Sequence, residues 1–143
     1  MMLLMRDGII VIEDPSLVGD MSDLHTAAFG FSRSLSLTEY RIKERVKDTN
    51  YEIYGYVMNG MLVGFFFLYS ASIYDVKMIE AFCVAPWKKG RGIGSQMLRF
   101  ILDKYGFHDF HLTVGHENDP ARGLYKKFGF NATDELNMVK ESK

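Results

Sequence analysis

A strand, a proline, a basic glycine-rich loop and an amphipathic helix follow one another over residues 79–105 (IEAFCVAPWKKGRGIGSQMLRFILDKY). No other stretch limits the fold so tightly. Residues 79–84 are almost wholly apolar and read as a strand that Pro86 stops. Beyond the loop, Ile93, Met97, Leu98, Ile101 and Tyr105 recur at helical spacing, so one face of that helix points at a core. The helix starts with backbone N–H groups that no preceding side chain is placed to satisfy, and Gly90, Gly92 and Gly94 let those groups close around a ligand. The positive end of the helix dipole, with Lys88, Lys89 and Arg91, suits a phosphorylated anion. A dinucleotide G-x-G-x-x-G fingerprint fails, because Gly90-x-Gly92 is followed by Ser95 and Gly92-x-Gly94 by Met97. The triphosphate loop G-x-x-x-x-G-K-[ST] fails at Ser95 and Gln96.

The rest of the chain supplies a partner for this unit. Residues 8–13 form a short apolar strand, and Leu17, Met21, Leu24 and Ala28 follow at helical spacing, interrupted by Gly19. Ser36-Leu37-Thr38-Glu39 reads as a capping box that opens a second, thinly apolar helix to about Lys47. Asn59-Gly60 between two β-rich runs marks a hairpin, and the second run, apolar on both faces, is a central strand. Residues 110–114 give another strand. Asn118-Asp119-Pro120 then starts a helix buried through Ala121, Leu124, Tyr125 and Phe128 and ended by Gly129. Residues 130–133 and 136–139 pair as a last hairpin. The order β-α-α-β-β-β-α-β-α-β-β is an α+β (mixed α/β) arrangement, expected as one domain over residues 1–143.

Seventeen basic and eighteen acidic side chains leave a net charge of −1, which argues against a nucleic-acid partner. The single cysteine, Cys83, suits a reducing cytoplasm, no run approaches membrane-spanning length, and the opening Met1-Met2-Leu3-Leu4-Met5 is too short for a secretory signal. His108, His111 and His116 do not make a metal set, since His108 and His111 would point to opposite faces of a strand.

The loop Lys89-Gly90-Arg91-Gly92-Ile93-Gly94 after Val84-Ala85-Pro86 resembles the acyl-CoA loop of the GNAT family of N-acetyltransferases, Q/R-x-x-G-x-G/A after V-x-P. Lysine at the first position departs from that pattern but keeps a cation there. A second stretch, Asn118-x-x-Ala121-x-x-Leu124-Tyr125-Lys126-Lys127-Phe128-Gly129-Phe130, is similar to the family's N-x-x-A-x-x-L-Y-E-K-x-G-F. The resemblance implies the family's sheet of about six to seven strands flanked by about four helices, and acetyl-CoA as co-substrate without a metal. It implies that residues 89–95 (Lys89, Gly90, Arg91, Gly92, Ile93, Gly94, Ser95) hold the pyrophosphate. Phe82, Cys83 and Val84 would hold the pantetheine arm through their backbone, Asn118 would line the arm's groove, and Tyr125 would protonate the departing thiolate. Asn118 and Tyr125, two helical turns apart, share a face.

Attack on a thioester needs a neutral amine, hence a base. Glu80, a carboxylate inside an apolar strand, is the candidate, with burial expected to raise its pKa. Strand alternation puts Phe82 and Val84 on its face and turns Cys83 away, as a buried small hydrophobe rather than a nucleophile. The alternative for Glu80 is a place at an edge or an ion pair with a nearby lysine such as Lys77. Ile-Glu-Ala-Phe-Cys-Val looks most like the diamine (polyamine) N-acetyltransferase branch, although Ala81 stands where that branch often carries a second acid. Ribosomal-protein N-terminal acetyltransferases are the nearest competing branch. The acceptor is thus a small amine, or else a protein N-terminus or lysine, and a non-catalytic CoA-binding sensor is the alternative of another class. Residues 65–69 and the terminal strands offer apolar surface for a homodimer.

Overall fold

The computed structural model describes residues 7–29, 38–70, 76–114, 119–133 and 137–141. Its elements in chain order are β1 (Gly8–Val11), α1 (Val18–Phe29), α2 (Glu39–Lys47), β2 (Tyr51–Met58), β3 (Met61–Ser70), β4 (Val76–Val84), α3 (Ile93–Lys104), β5 (Asp109–Thr113), α4 (Asp119–Lys127), β6 (Asn131–Ala132) and β7 (Asn137–Lys140). The strands make one seven-stranded sheet in the order β1-β2-β3-β4-β5-β7-β6. All neighbours are antiparallel except β4 and β5, whose parallel pairing requires the crossover that α3 provides. This is the mixed α+β arrangement expected from the order of elements. No helix among the described residues is long and apolar enough to cross a membrane.

Asn59 (φ 53°) and Gly60 (φ 76°) are both left-handed, as a two-residue turn between right-twisted strands demands, and they join Met58 to Met61. The second helix is capped by Thr38, whose hydroxyl accepts from the Arg41 N–H at 3.2 Å. Ser36, the cap expected from sequence, lies outside the described residues.

β3 is the middle of the core. Phe65, Phe66, Phe67 and Leu68 are all essentially inaccessible, because helices cover both faces. Phe65 meets His25 of α1 (6.4 Å between ring centroids), while Phe66 meets Phe100 of α3 (6.5 Å). The expectation that this run offers surface to a dimer is therefore corrected: with strands on both edges and helices on both faces, Phe65 to Leu68 have nothing left to present. Tyr125 of α4 lies on the α3 side, reached through Phe82, which stacks on Phe66 at 6.0 Å.

The glycine-loop helix is fixed to the sheet at both ends. Near its start the Tyr56 hydroxyl donates to Gln96 Oε1 (2.7 Å). Near its end the Tyr105 and Tyr54 hydroxyls both donate to Glu52 Oε1 (2.6 and 2.8 Å), and Lys104 donates to the Tyr54 hydroxyl (2.8 Å). Burial first, then the Glu52 carboxylate, pushes both phenols up, so both keep their protons at neutral pH and can donate to Glu52. Lys77, on this same side, donates to Ser70 Oγ (2.6 Å) and lies 4.0 Å from Glu52 Oε2. The pairing of Lys77 with Glu80 allowed for above is thus replaced by one with Glu52.

β4 breaks its own alternation. Phe67 pairs with Glu80 but Phe65 pairs with Cys83, so the one residue between them on β3, Phe66, answers to two on β4, Ala81 and Phe82, a β-bulge. Ala81 sits in it at φ +54°, a left-handed conformation that a Cβ makes unfavourable by about 1–2 kcal/mol. On the far edge, the ladder to β5 ends at Ile79–Leu112, although β4 continues to Val84.

Two outcomes are expected. Ala81→Gly relieves the bulge and raises stability by about 1 kcal/mol, whereas Ala81→Val, β-branched at positive φ, lowers it by more, as read from urea denaturation midpoints. His25, buried against Phe29 and Phe65, has its pKa lowered by desolvation below the ordinary 6.5. The unfolded chain therefore takes up a proton that the folded chain refuses. Stability is full above pH 6.5 and falls as pH drops below it. The denaturation midpoint of the wild type is expected to fall more steeply between pH 7 and 5 than that of His25→Leu.

Candidate functional site

The bulge and the early end of the β4–β5 ladder have one consequence. From Glu80 to Val84, β4 keeps its hydrogen bonds to β3 on one edge, continued by the Ala85 N–H to the Val63 carbonyl at 2.8 Å. Among the described residues, no strand pairs with its other edge there, because the ladder to β5 has already ended. A slot results, walled by backbone N–H and C=O groups that are free to pair with an extended ligand.

The glycine loop stands at the end of this slot. Gly90 (φ 80°) and Gly92 (φ 77°) are left-handed, and a Cβ on either would meet nothing within 4 Å. They are glycine for the backbone's sake, not for space. Gly92 is the N-cap of α3 and has no side chain to cap with. The Gly92 carbonyl already accepts from the Gln96 N–H at 3.0 Å, which leaves the N–H groups of Ile93, Gly94 and Ser95 without intrahelical partners. The Ile93 side chain is buried, so only its amide can serve a ligand. Gly94 is glycine for space: a Cβ there would lie 3.1 Å from Leu124 Cδ2, 3.8 Å from Phe82 Cε1 and 3.9 Å from Val84 Cγ2. Its bareness lets the first turn of α3 close on α4 and β4. Lys89 and Arg91 are exposed at the loop's rim and Lys88 is half-buried.

On the α3 side of the slot stands Tyr125. Its ring meets Phe82 edge-on at 5.8 Å and Phe130 at 5.8 Å, and it is 5% exposed. Gly129 (φ 98°) turns the chain back after α4, and the Phe130 N–H donates to the Tyr125 carbonyl at 3.0 Å, which fixes the residue's place. Burial, with a smaller contribution from Cys83, pushes the Tyr125 hydroxyl up, so it holds its proton throughout the neutral range.

Glu80 occupies the opposite side. The expectation that it shares a face with Phe82 and Val84, and that Cys83 points away, is corrected. The bulge at Ala81 adds one residue, so Glu80 and Cys83, opposite Phe67 and Phe65, lie together on the α1 side. Phe82 lies on the α3 side, stacked on Phe66. Glu80 is half-buried rather than enclosed. The nearby Glu80 carboxylate, after burial, helps push the Tyr51 phenol up. Cys83 is buried, and that burial pushes its thiol up, away from the thiolate a nucleophile needs. Asn118 lies outside the described residues.

Sequence reasoning missed two features: the bulge and Tyr51. Nothing local marks an alanine for positive φ. Tyr51 is one of several aromatic residues in β2, and only its register with β3 brings it beside Glu80. Among the described residues no three His, Cys, Asp or Glu side chains gather as a metal-holding group.

Known proteins share this architecture. The profile of the acetyltransferase (GNAT) family matches residues 18–130. An N-acetyltransferase 9-like protein of Nematostella vectensis is 34% identical over 71 residues, which are 46% of this chain and 35% of that protein. The match therefore spans about a third of that relative's length. Among solved structures, the ribosomal-protein-S18-alanine N-acetyltransferase of Escherichia coli superposes with a TM-score of 0.79 at 19% identity, over 94% of each chain. An acetyltransferase of the same family from Elizabethkingia anophelis, solved with acetyl-CoA bound, gives 0.69 at 20% identity, over 95% of this chain and 99% of that one. At such identities these two likenesses speak for the fold, while the profile covers most of the chain, including the strand, the glycine loop and the Tyr125 helix: the protein belongs to the GNAT family of acetyltransferases.

Proposed function

We propose that this chain, as one catalytic domain, transfers the acetyl group of acetyl-CoA directly to a primary amine held in the same complex. The observation that carries the reading is the bulged edge of β4, which opens a slot beside the glycine loop with Glu80 on one side and Tyr125 on the other. The residues fit such a co-substrate. Two glycines at positive φ and the first-turn amides of α3, with Lys89 and Arg91 at the rim, suit a pyrophosphate. The free edge of Phe82, Cys83 and Val84 suits the amides of a pantetheine arm, and a backbone N–H near Val84 can polarise a carbonyl in the slot.

When bound, the co-substrate supplies an acetyl group as a thioester, with a thiolate to be expelled. Glu80 takes the proton from the acceptor ammonium, directly or through water, so that nitrogen attacks with its lone pair. Tyr125 gives its proton to the sulfur as the C–S bond breaks, and the proton shed by the new amide nitrogen, passed through water, restores the phenol. A regular strand would put residue 80 on the same face as Phe82, and hence on Tyr125's side. The bulge separates the two roles across the slot, so the amine enters on one side and the thiolate leaves on the other.

The acceptor is a small primary amine or the amine of a peptide. The structural relative from Escherichia coli is a ribosomal-protein-S18-alanine N-acetyltransferase, which supports the peptide reading. For a polyamine, several acids are needed; Ala81 removes one from the strand, and Glu80 is the carboxylate of β4 itself.

Turnover of Glu80→Gln with acetyl-CoA and an amine panel is expected to fall by about 10²- to 10³-fold. That of Tyr125→Phe is expected to fall by about tenfold or more. The CoA dissociation constant of both, read by calorimetry, should match that of the wild type. A protein that only senses CoA would show binding without turnover in the wild type, and this result overturns the proposal.

A further inference from the structure

We infer that Tyr51 is a positioning residue for the base, holding the Glu80 carboxylate in the orientation from which it takes the acceptor's proton. The inference rests on the reading of Glu80 given above. β2 begins at Tyr51, which pairs with Tyr69 of β3, and the Phe67–Glu80 pair lies two residues along on the same face. Tyr51 and Glu80 thus lie on one face of the sheet, two strands apart with β3 between them and two positions offset along it.

Its ring has little freedom. The Arg45 guanidinium of α2 lies over it, 4.8 Å from the centroid. The Tyr69 ring is 5.0 Å away, and Phe67 meets it edge-on at 6.2 Å. A ring held by a cation, a second phenol and a buried phenylalanine presents its hydroxyl in one direction, and Glu80 is the carboxylate whose proximity helps raise it. Burial first, then the hydrogen bond and charge of Glu80, pushes the phenol up to about 12, so at neutral pH it donates and does not compete for the acceptor's proton.

Glu80 gains from this in a specific way. Its side chain is half-buried, with several rotatable bonds, and the bulge next to it removes the regular neighbour that would brace it. One oxygen engaged by Tyr51 leaves the other for the ammonium, at a fixed distance from the slot. Loss of such a hold costs rate rather than cofactor affinity, since a displacement of about 1 Å at a reacting group can cost up to 10²-fold.

A double-mutant cycle tests this. Tyr51→Phe keeps the ring and its contacts with Arg45, Tyr69 and Phe67, so the fold is retained. With acetyl-CoA and an accepted amine, it is expected to lower kcat about tenfold, with little change in the amine KM and none in the CoA dissociation constant. In the Glu80→Gln background the same change should alter the residual rate by less than about twofold, because there is no base left to position. An equal loss in both backgrounds, or no loss in the wild type, overturns the inference while leaving Glu80 as base. Full activity in Glu80→Gln alone overturns both the inference and the assignment beneath it.

Discussion

The structure depends on one extra residue in a strand. The bulge at Ala81 leaves β4 bonded to β3 but lets its other edge part from β5, so a sheet otherwise closed by its ladders gains an opening at its centre. Ala81 adopts positive φ at a cost of about 1–2 kcal/mol, and the surrounding structure over-determines it. Phe65, Phe66 and Phe67 fix the register on one side, and α3 is tied to the sheet through Tyr56–Gln96 and the Glu52 cluster. Rigid surroundings keep a strained point in place.

That opening accounts for the arrangement of the chemistry. Gly90 and Gly92 give the loop a curl that L-residues resist, and Gly94 lets the helix start close upon Phe82, Val84 and Leu124. The amides of the helix start, the free strand edge and Tyr125 thereby face one slot from three elements. Because alternation is broken at Ala81, Glu80 comes to the opposite side, beside Tyr51. One local irregularity opens the slot and sets Tyr125 and Glu80 on opposite sides of it.

Much of this was legible in the sequence, and for reasons that can be named. The hairpin was readable because Asn-Gly has few other uses, and the central strand because Leu62 to Leu68 are apolar on both faces. The glycine loop was readable because three glycines and three cations ahead of an amphipathic helix serve few other purposes. The order of strands and helices carried the fold class, and two motifs carried the family. Three things were not legible. A bulge is a property of two strands in register, and Ala81 carries no mark of it, so alternation placed Glu80, Phe82 and Cys83 on the wrong relative faces. Residues 65–69 looked like surface for a partner because hydrophobicity alone does not say whether helices cover a strand. The Tyr51–Glu80 contact spans three strands and has no local signal.

The most direct test of the slot is thermal unfolding of the purified protein with acetyl-CoA, CoA, ATP and NAD in parallel. A ligand bound only by the folded state adds about 2.7 kcal/mol of stability at a hundred times its dissociation constant, which moves Tm by several degrees. The two CoA species should raise Tm, with ATP and NAD well behind, if the strand edge beyond the glycine loop takes the pantetheine arm that the others lack. No shift at millimolar CoA, or an equal shift with ATP, would contradict a slot built for an acyl-CoA.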